Sequence, residues 1–254
     1  MSDGGHIERA FKETTAVVFG KQMDDLKSYE KWLLINVPAI LKSKSVASNK
    51  IVYAPRTAYY SAIADNVLTN SEALEFGNQK VSENVLSDLH LSNIHEKLHK
   101  IAVITPEVTY GNNYELIECT GCTDASFCSN CAFPVKSRYS AYSFWPRESE
   151  YVFGCSHTLS STFCIKCYYS SNLTRCFEMS DCNNCRDSYF CYNSENLSDC
   201  MFCFNSKAKS YAIGNVEVGR EKYMKIKGII LDEIVKMLEK DKKLDINIYN
   251  LNST

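Results

Sequence analysis

The residues in this chain best suited to chemistry are its 13 cysteines, all of which fall between Cys119 and Cys203. A thiolate is both a metal ligand and a nucleophile, so spacing decides what such a set can do. The cysteines return on a nine-residue beat in two registers. Cys119, Cys128, Cys155, Cys164, Cys182, Cys191 and Cys200 hold one; Cys122, Cys131, Cys167, Cys176, Cys185 and Cys203 hold the other, three residues later. Where cysteine is missing the substitute is usually small: Ser137, Ser140, Ser149, Thr158, Ser194 and Ala212, with Leu173, Pro146 and Lys209 as exceptions. Paired C-x-x-C motifs are the raw material of four-cysteine zinc or iron–sulfur sites. Cys164/Cys167, Cys182/Cys185 and Cys200/Cys203 are therefore the candidate metal ligands. A dedicated site does not need cysteine throughout the repeat, nor serine and threonine as substitutes. The expectation is a reduced ladder of buried thiols without a cofactor, with zinc at those six residues as the alternative.

Two other constellations carry chemistry. His95-Glu-Lys-Leu-His99 has the form H-E-x-x-H and resembles the zinc-peptidase signature, which implies two imidazole ligands with Glu96 as general base. Lys97 departs from that pattern, and Glu107, Glu115 and Glu118 are the only third-ligand candidates. An ordinary helix flank is the expected reading, with no catalytic residue assigned. Between Phe133 and Phe153, Tyr139, Tyr142, Phe144, Trp145 and Tyr151 interleave with Lys136, Arg138 and Arg147. Trp145, Tyr142 and Arg147 are the candidate partner-binding residues, because such side chains dominate protein hot spots. Stacking of single-stranded nucleic acid on them is a weaker alternative, and packing on the N-terminal region is the bland one.

The elements that must position these residues divide the chain into three parts. Residues 1–117 read as a mixed helix and strand domain. A helical stripe of Leu26, Tyr29, Trp32, Leu33 and Ile35 lies within 23–36. The polar stretch KSKSVASNK reads as a loop, and KIVYA at 50–54 as a strand. Ser82 to Lys100 reads as one helix with Val85, Leu86, Leu89, Ile94, Leu98 and Ile101 as its buried stripe. Ile101–Thr105 and Val108–Cys119 read as strands. Residues 118–213 are the repeat. Doubling nine to 18 separates a C-x-x-C series from a looser one, which predicts a β-solenoid of about 18 residues per coil with two unlike sides. Asn184, Asn193 and Asn205 suit its corners. Residues 214–254 hold an amphipathic helix from Gly219 to Lys240, carried by Tyr223, Ile226, Ile230, Ile234 and Leu238, and then a final strand over Leu244–Leu251. That helix is expected to cap one open end of the solenoid, with the N-terminal region over the other. The fold class is thus α+β: a mixed N-terminal α/β region, a short cysteine-lined β-solenoid and a capping C-terminal helix.

In period alone the repeat resembles the nonapeptide β-roll of calcium-binding exported proteins. The glycine–aspartate signature of that roll is missing, so its calcium sites do not carry over. The ending Tyr211-Ala-Ile-Gly-Asn215, followed by Arg220-Glu-Lys-Tyr223, is similar to the close of cysteine-rich repeats in uncharacterised prokaryotic and phage-associated proteins. That resemblance covers the C-terminal half. It implies a viral or phage association and brings no activity.

Composition narrows the function classes. A net charge of -2 with interspersed signs argues against a broad electrostatic footprint for nucleic acid or anionic membrane. No apolar run approaches the roughly 20 residues of a spanning helix, and the polar start MSDGGHIERAFKETT does not read as a signal peptide. The expectation is an intracellular, cytoplasmic protein, or a virion component made in a cell, with reduced cysteines. A structural protein that binds a protein partner or its own copies fits best.

Overall fold

From Glu115 to Gly214 every third residue has a left-handed backbone, with φ between 46° and 66°. An L-residue there costs roughly 1–2 kcal/mol, and β-branched side chains fit worst. No valine, isoleucine or threonine occupies any of these positions. Each such residue makes a corner, so the chain advances in triplets of one inward, one outward and one corner residue. Four triplets close a coil. Tyr114 pairs with Ser126, Ser126 with Arg138, Arg138 with Glu150, and Glu150 with Thr162, always in parallel and always four triplets on. A computed structural model describes residues 5–252, and about 8 such coils stack between residues 114 and 213.

The β-solenoid is as read from the repeat, but its size is corrected. The expected two-sided coil, twice the cysteine beat in length, is a four-sided coil of four triplets. The cause lies in the third inward register, which holds no cysteine at all: Ala125, Pro134, Ser143, Val152, Ser161, Ser170, Met179, Ser188, Leu197 and Ser206. Cysteine alone showed a beat of nine, whereas the backbone repeats with every triplet and pairs with every fourth one. Nine is the diagonal step. Sγ of Cys167 lies 3.7 Å from the carbonyl oxygen of Cys176, that of Cys176 3.5 Å from Cys185 and that of Cys182 3.4 Å from Cys191, each in the next coil.

Hydrogen-bond accounting explains why the interior takes serine and cysteine. The outward N–H donates to a carbonyl of the following coil, as from Ser126 to Ser137 and Ala132 to Ser143. The corner N–H donates to the preceding coil, as from Asn130 to Ile117 and Lys136 to Thr123. That scheme leaves the inward N–H over, and a buried donor must find a partner. At many positions it finds a serine or cysteine side chain pointing inward one coil earlier. Leu173 N–H meets Ser161 Oγ at 3.1 Å, Cys182 N–H meets Ser170 Oγ at 3.0 Å, and Cys167 N–H meets Cys155 Sγ at 3.4 Å. Pro134 and Pro146 solve the same problem by having no N–H.

One face of the solenoid is covered. Its outward residues Ala141, Phe153, Ile165, Phe177, Tyr189 and Met201 are buried against helix α1 (Gly5–Phe19), with Trp32 and Leu33 of α2 (Glu30–Leu33). Leu26, Tyr29, Trp32 and Leu33 form the buried stripe read from sequence, while Ile35 is exposed. The strand at KIVYA is present as β2 (Ile51–Pro55). Part of the polar stretch read as loop is instead β1 (Ile40–Lys44), which pairs antiparallel with β2. Helices α3 (Ala58–Ala62) and α4 (Asn70–Phe76) follow. The single helix expected over 82–100 is two short ones, α5 (Glu83–Ser87) and α6 (Ile94–Leu98), and neither buries a residue. Asn93 breaks it: its side chain accepts from His90 N–H (2.8 Å) and donates to the Asp88 carbonyl (2.7 Å), competing with the helical ladder. The strand expected over 108–119 is confined to Tyr114–Ile117.

The C-terminal helix α7 runs from Arg220 to Asp241, with Tyr223, Ile234 and Leu238 buried and Ile226 and Ile230 half-buried. It lies in the same core as α1, and its Glu239 pairs with Lys21 just beyond that helix (2.6 Å), so both helices cover a side rather than the two ends. The C-terminal end is closed by the chain itself. It reverses at Gly214 and Asn215, pairs Val216 and Glu217 antiparallel with Ile213 and Ala212, and sets the Asn215 amide on Phe204 N–H (2.8 Å) and C=O (2.9 Å). No strand forms over 244–251; Leu244 and Ile248 are buried instead, in a turn that docks on the solenoid.

Candidate functional site

Corners one coil apart stack, and successive corners point different ways. This rule sorts the aromatic cluster. Phe127, Tyr139, Tyr151 and Phe163 share one corner, with centroid separations of 4.8, 5.0 and 4.7 Å. Tyr139 and Tyr151 pack there against the α1 core, in accord with the bland expectation. Tyr142 belongs to the next corner. It is buried under the N-terminal region, and desolvation pushes its phenol well above the ordinary value. It therefore leaves the partner-binding set.

Trp145 and Arg147 do come together. The guanidinium lies 4.9 Å from the Trp145 ring centroid. One coil on, the same corner carries His157, 5.3 Å from Trp145; one further coil brings Tyr169, stacked 4.6 Å from His157. Trp145 is 39% exposed and Tyr169 58%. Burial, then Arg147, lowers the His157 imidazole below its ordinary value and favours the neutral ring. His157 and Tyr169 were missed in the sequence because they sit outside the irregular 133–153 stretch; testing a spacing of four triplets finds them. Beyond Tyr169 the face opens into a cavity of about 880 Å3 between the solenoid and the C-terminal turn.

Cys164, Cys167, Cys182, Cys185, Cys200 and Cys203 are all buried free thiols, and each donates to a backbone carbonyl two residues back, at 3.5, 3.6, 3.2, 3.3, 3.5 and 3.6 Å. Burial pushes the Cys167 thiol up, whereas hydrogen bonds from neighbouring thiols pull Cys164, Cys185 and Cys203 down, so this cysteine wall is not uniformly held as thiol. Among the described residues no group of three or more His, Cys, Asp or Glu side chains is arranged to hold a metal ion. A thiol titration should count about one fast-reacting group in the native state, the half-buried Cys119, and 13 after denaturation. Several fast native thiols would contradict the sealed core.

His95 and His99 are exposed, and His99 Nδ1 lies 2.7 Å from the Glu96 backbone carbonyl. Two of the three third-ligand candidates are engaged elsewhere. Glu107 accepts from Tyr53 N–H (2.9 Å), and Glu118 pairs with Lys42. Among the described residues no third His, Cys, Asp or Glu side chain joins the motif in an arrangement that could hold a metal ion.

No protein-family profile and no curated protein matches the chain. Among the described residues no helix is long and apolar enough to cross a membrane.

Proposed function

We propose that this protein is a non-enzymatic assembly module that presents one corner of a rigid β-solenoid to a protein partner or to further copies of itself, alone or within a larger particle. The observation that carries this reading is the exposed ladder Trp145–His157–Tyr169, with Arg147 over the first ring. Tryptophan, tyrosine and arginine are the residues that concentrate binding energy at interfaces. Every ring stands on a corner held from both sides by parallel coils, so little ordering entropy is spent on binding. Bases could stack on the same rings, but the net charge of -2 supplies little of the counterion release that drives nucleic-acid binding. The cysteine interior then serves as packing rather than as a metal store. Protein purified without a tag is expected to carry less than about a tenth of an equivalent of zinc or iron, against the full equivalent of a structural site.

The test is a double variant, Trp145→Ala/Tyr169→Ala, compared with the wild type by affinity capture and by sedimentation. Loss of association with a Tm within about 2 °C of wild type supports the reading. Unchanged association, or a large drop in Tm alone, overturns it.

A further inference from the structure

The cavity beside the ladder has a composition that selects its ligand. Its walls include the rings of Tyr169, Tyr192, Phe202, Phe204 and Tyr249, and Asp181 is the one carboxylate among its lining residues. No lysine, arginine or histidine lines it. Aromatic faces carry the negative end of the ring quadrupole, so several of them around one carboxylate attract cations and repel anions. Asp181 takes a hydrogen bond from Ser180 Oγ (2.7 Å) and makes no ion pair among the described residues, so its charge is not neutralised by the protein. The volume of about 880 Å3 lies in the ordinary range for small-molecule sites.

The walls are also held in place. Tyr192 sits in a paired strand, with its N–H on the Cys203 carbonyl. The Tyr249 hydroxyl lies 3.0 Å from Ser180 Oγ, and Ile248 N–H donates to Glu178 at 2.9 Å, which fixes the C-terminal turn as the opposite side. A metal ion or a bare ammonium is strongly hydrated and gains little from aromatic faces beside one exposed carboxylate. An alkylated ammonium is weakly hydrated, and its methyl groups fill an aromatic pocket. We propose that this cavity binds a small organic cation with a quaternary ammonium head, through the aromatic rings and Asp181.

The probe is choline, set against 3,3-dimethyl-1-butanol, which has the same shape with carbon in place of the charged nitrogen. Both are titrated into the full chain by calorimetry. Choline is expected to bind saturably and about fivefold to tenfold more tightly than the neutral compound. Asp181→Asn and Tyr192→Leu should each weaken choline by a similar factor without lowering Tm. Trp145→Ala should leave choline binding unchanged, so failure here and failure of the assembly reading are separable. Equal affinity for the two compounds, or no saturable choline binding in the millimolar range, overturns the proposal. If Tyr192→Leu unfolds the chain, the exposed Asp181→Asn variant decides, and choline binding unaffected by it counts against the proposal.

Discussion

Lys166→Met is expected to destabilise the fold by about 3–5 kcal/mol, the usual result of removing one partner of a buried ion pair. Lys166 and Glu178 are both fully buried corner residues on adjacent coils, with Nζ 3.7 Å from Oε1. The ammonium donates to the carbonyls of Trp32 (3.0 Å) and Ile35 (3.2 Å) and lies 5.5 Å from the Trp32 ring centroid. The carboxylate accepts Ile248 N–H through Oε2, while Oε1 has no hydrogen-bond partner. The pair thus joins three parts of the chain: the N-terminal segment, the solenoid and the C-terminal turn. Methionine would leave Glu178 buried without its counterion and take one of two donors from each carbonyl, Trp32 keeping Ile35 N–H (3.2 Å) and Ile35 keeping the Tyr168 hydroxyl (3.3 Å). The double variant Lys166→Met/Glu178→Gln keeps an acceptor for Ile248 N–H and removes the buried charge. It should recover most of the loss in urea unfolding at constant m. Equal stability of single and double variants would rule out an uncompensated charge as the cause.

The same pair sets a pH dependence. Burial raises the Glu178 carboxyl from 4.5 to about 7, with Lys166 opposing the shift. Below 4.5 the group is protonated in both states and imposes no penalty. As pH rises the unfolded chain loses the proton first, so stability falls until pH passes about 7, by on the order of 3 kcal/mol. Burial lowers Lys166, whose own contribution is regained only as pH rises towards its ordinary 10.5. Glu72 works in the other direction: hydrogen bonds from Ser45, Ser48 and Thr69 lower it to about 2, so its stabilisation is lost as pH falls from 4.5 towards that value. Tm is therefore expected to rise from pH 8 to pH 5 and to fall below pH 4. Glu178→Gln should flatten the first limb only.

Ser161→Ala is expected to cost about 1–3 kcal/mol, and Ser161→Cys much less. Ser161 Oγ donates to the Leu159 carbonyl (2.9 Å) and accepts Leu173 N–H (3.1 Å), deep in the interior. Alanine removes only an oxygen, so lost packing is small and the orphaned N–H dominates. Cysteine keeps an acceptor of tolerable size, as Cys155 does for Cys167 N–H. If alanine proves as stable as wild type in chemical denaturation, the inward side chains fill space and nothing more.

Much of the candidate site was hidden by the choice of marker. Counting cysteines picks out two inward registers and misses the third, whose alanine, prolines, serines and larger residues carry no such label. A register of corner residues without β-branched side chains was equally present in the sequence, and it states the period directly. With a triplet period and pairing at every fourth triplet, Trp145, His157 and Tyr169 fall on one corner and Tyr142 on another.

The sequence by itself determined that small residues line a repeating interior and that a helix follows it. Local backbone preference and side-chain size are enough for that, since both act within a few residues. Only the tertiary structure decided that four triplets close a coil, because closure depends on inter-coil hydrogen bonds that no single repeat can make. Burial of Lys166 against Glu178, the covering of one face by α1 and α7, and the cavity at Asp181 were decided there too. Each joins residues tens or hundreds of positions apart, and their environment exists only once the chain has wound and been covered.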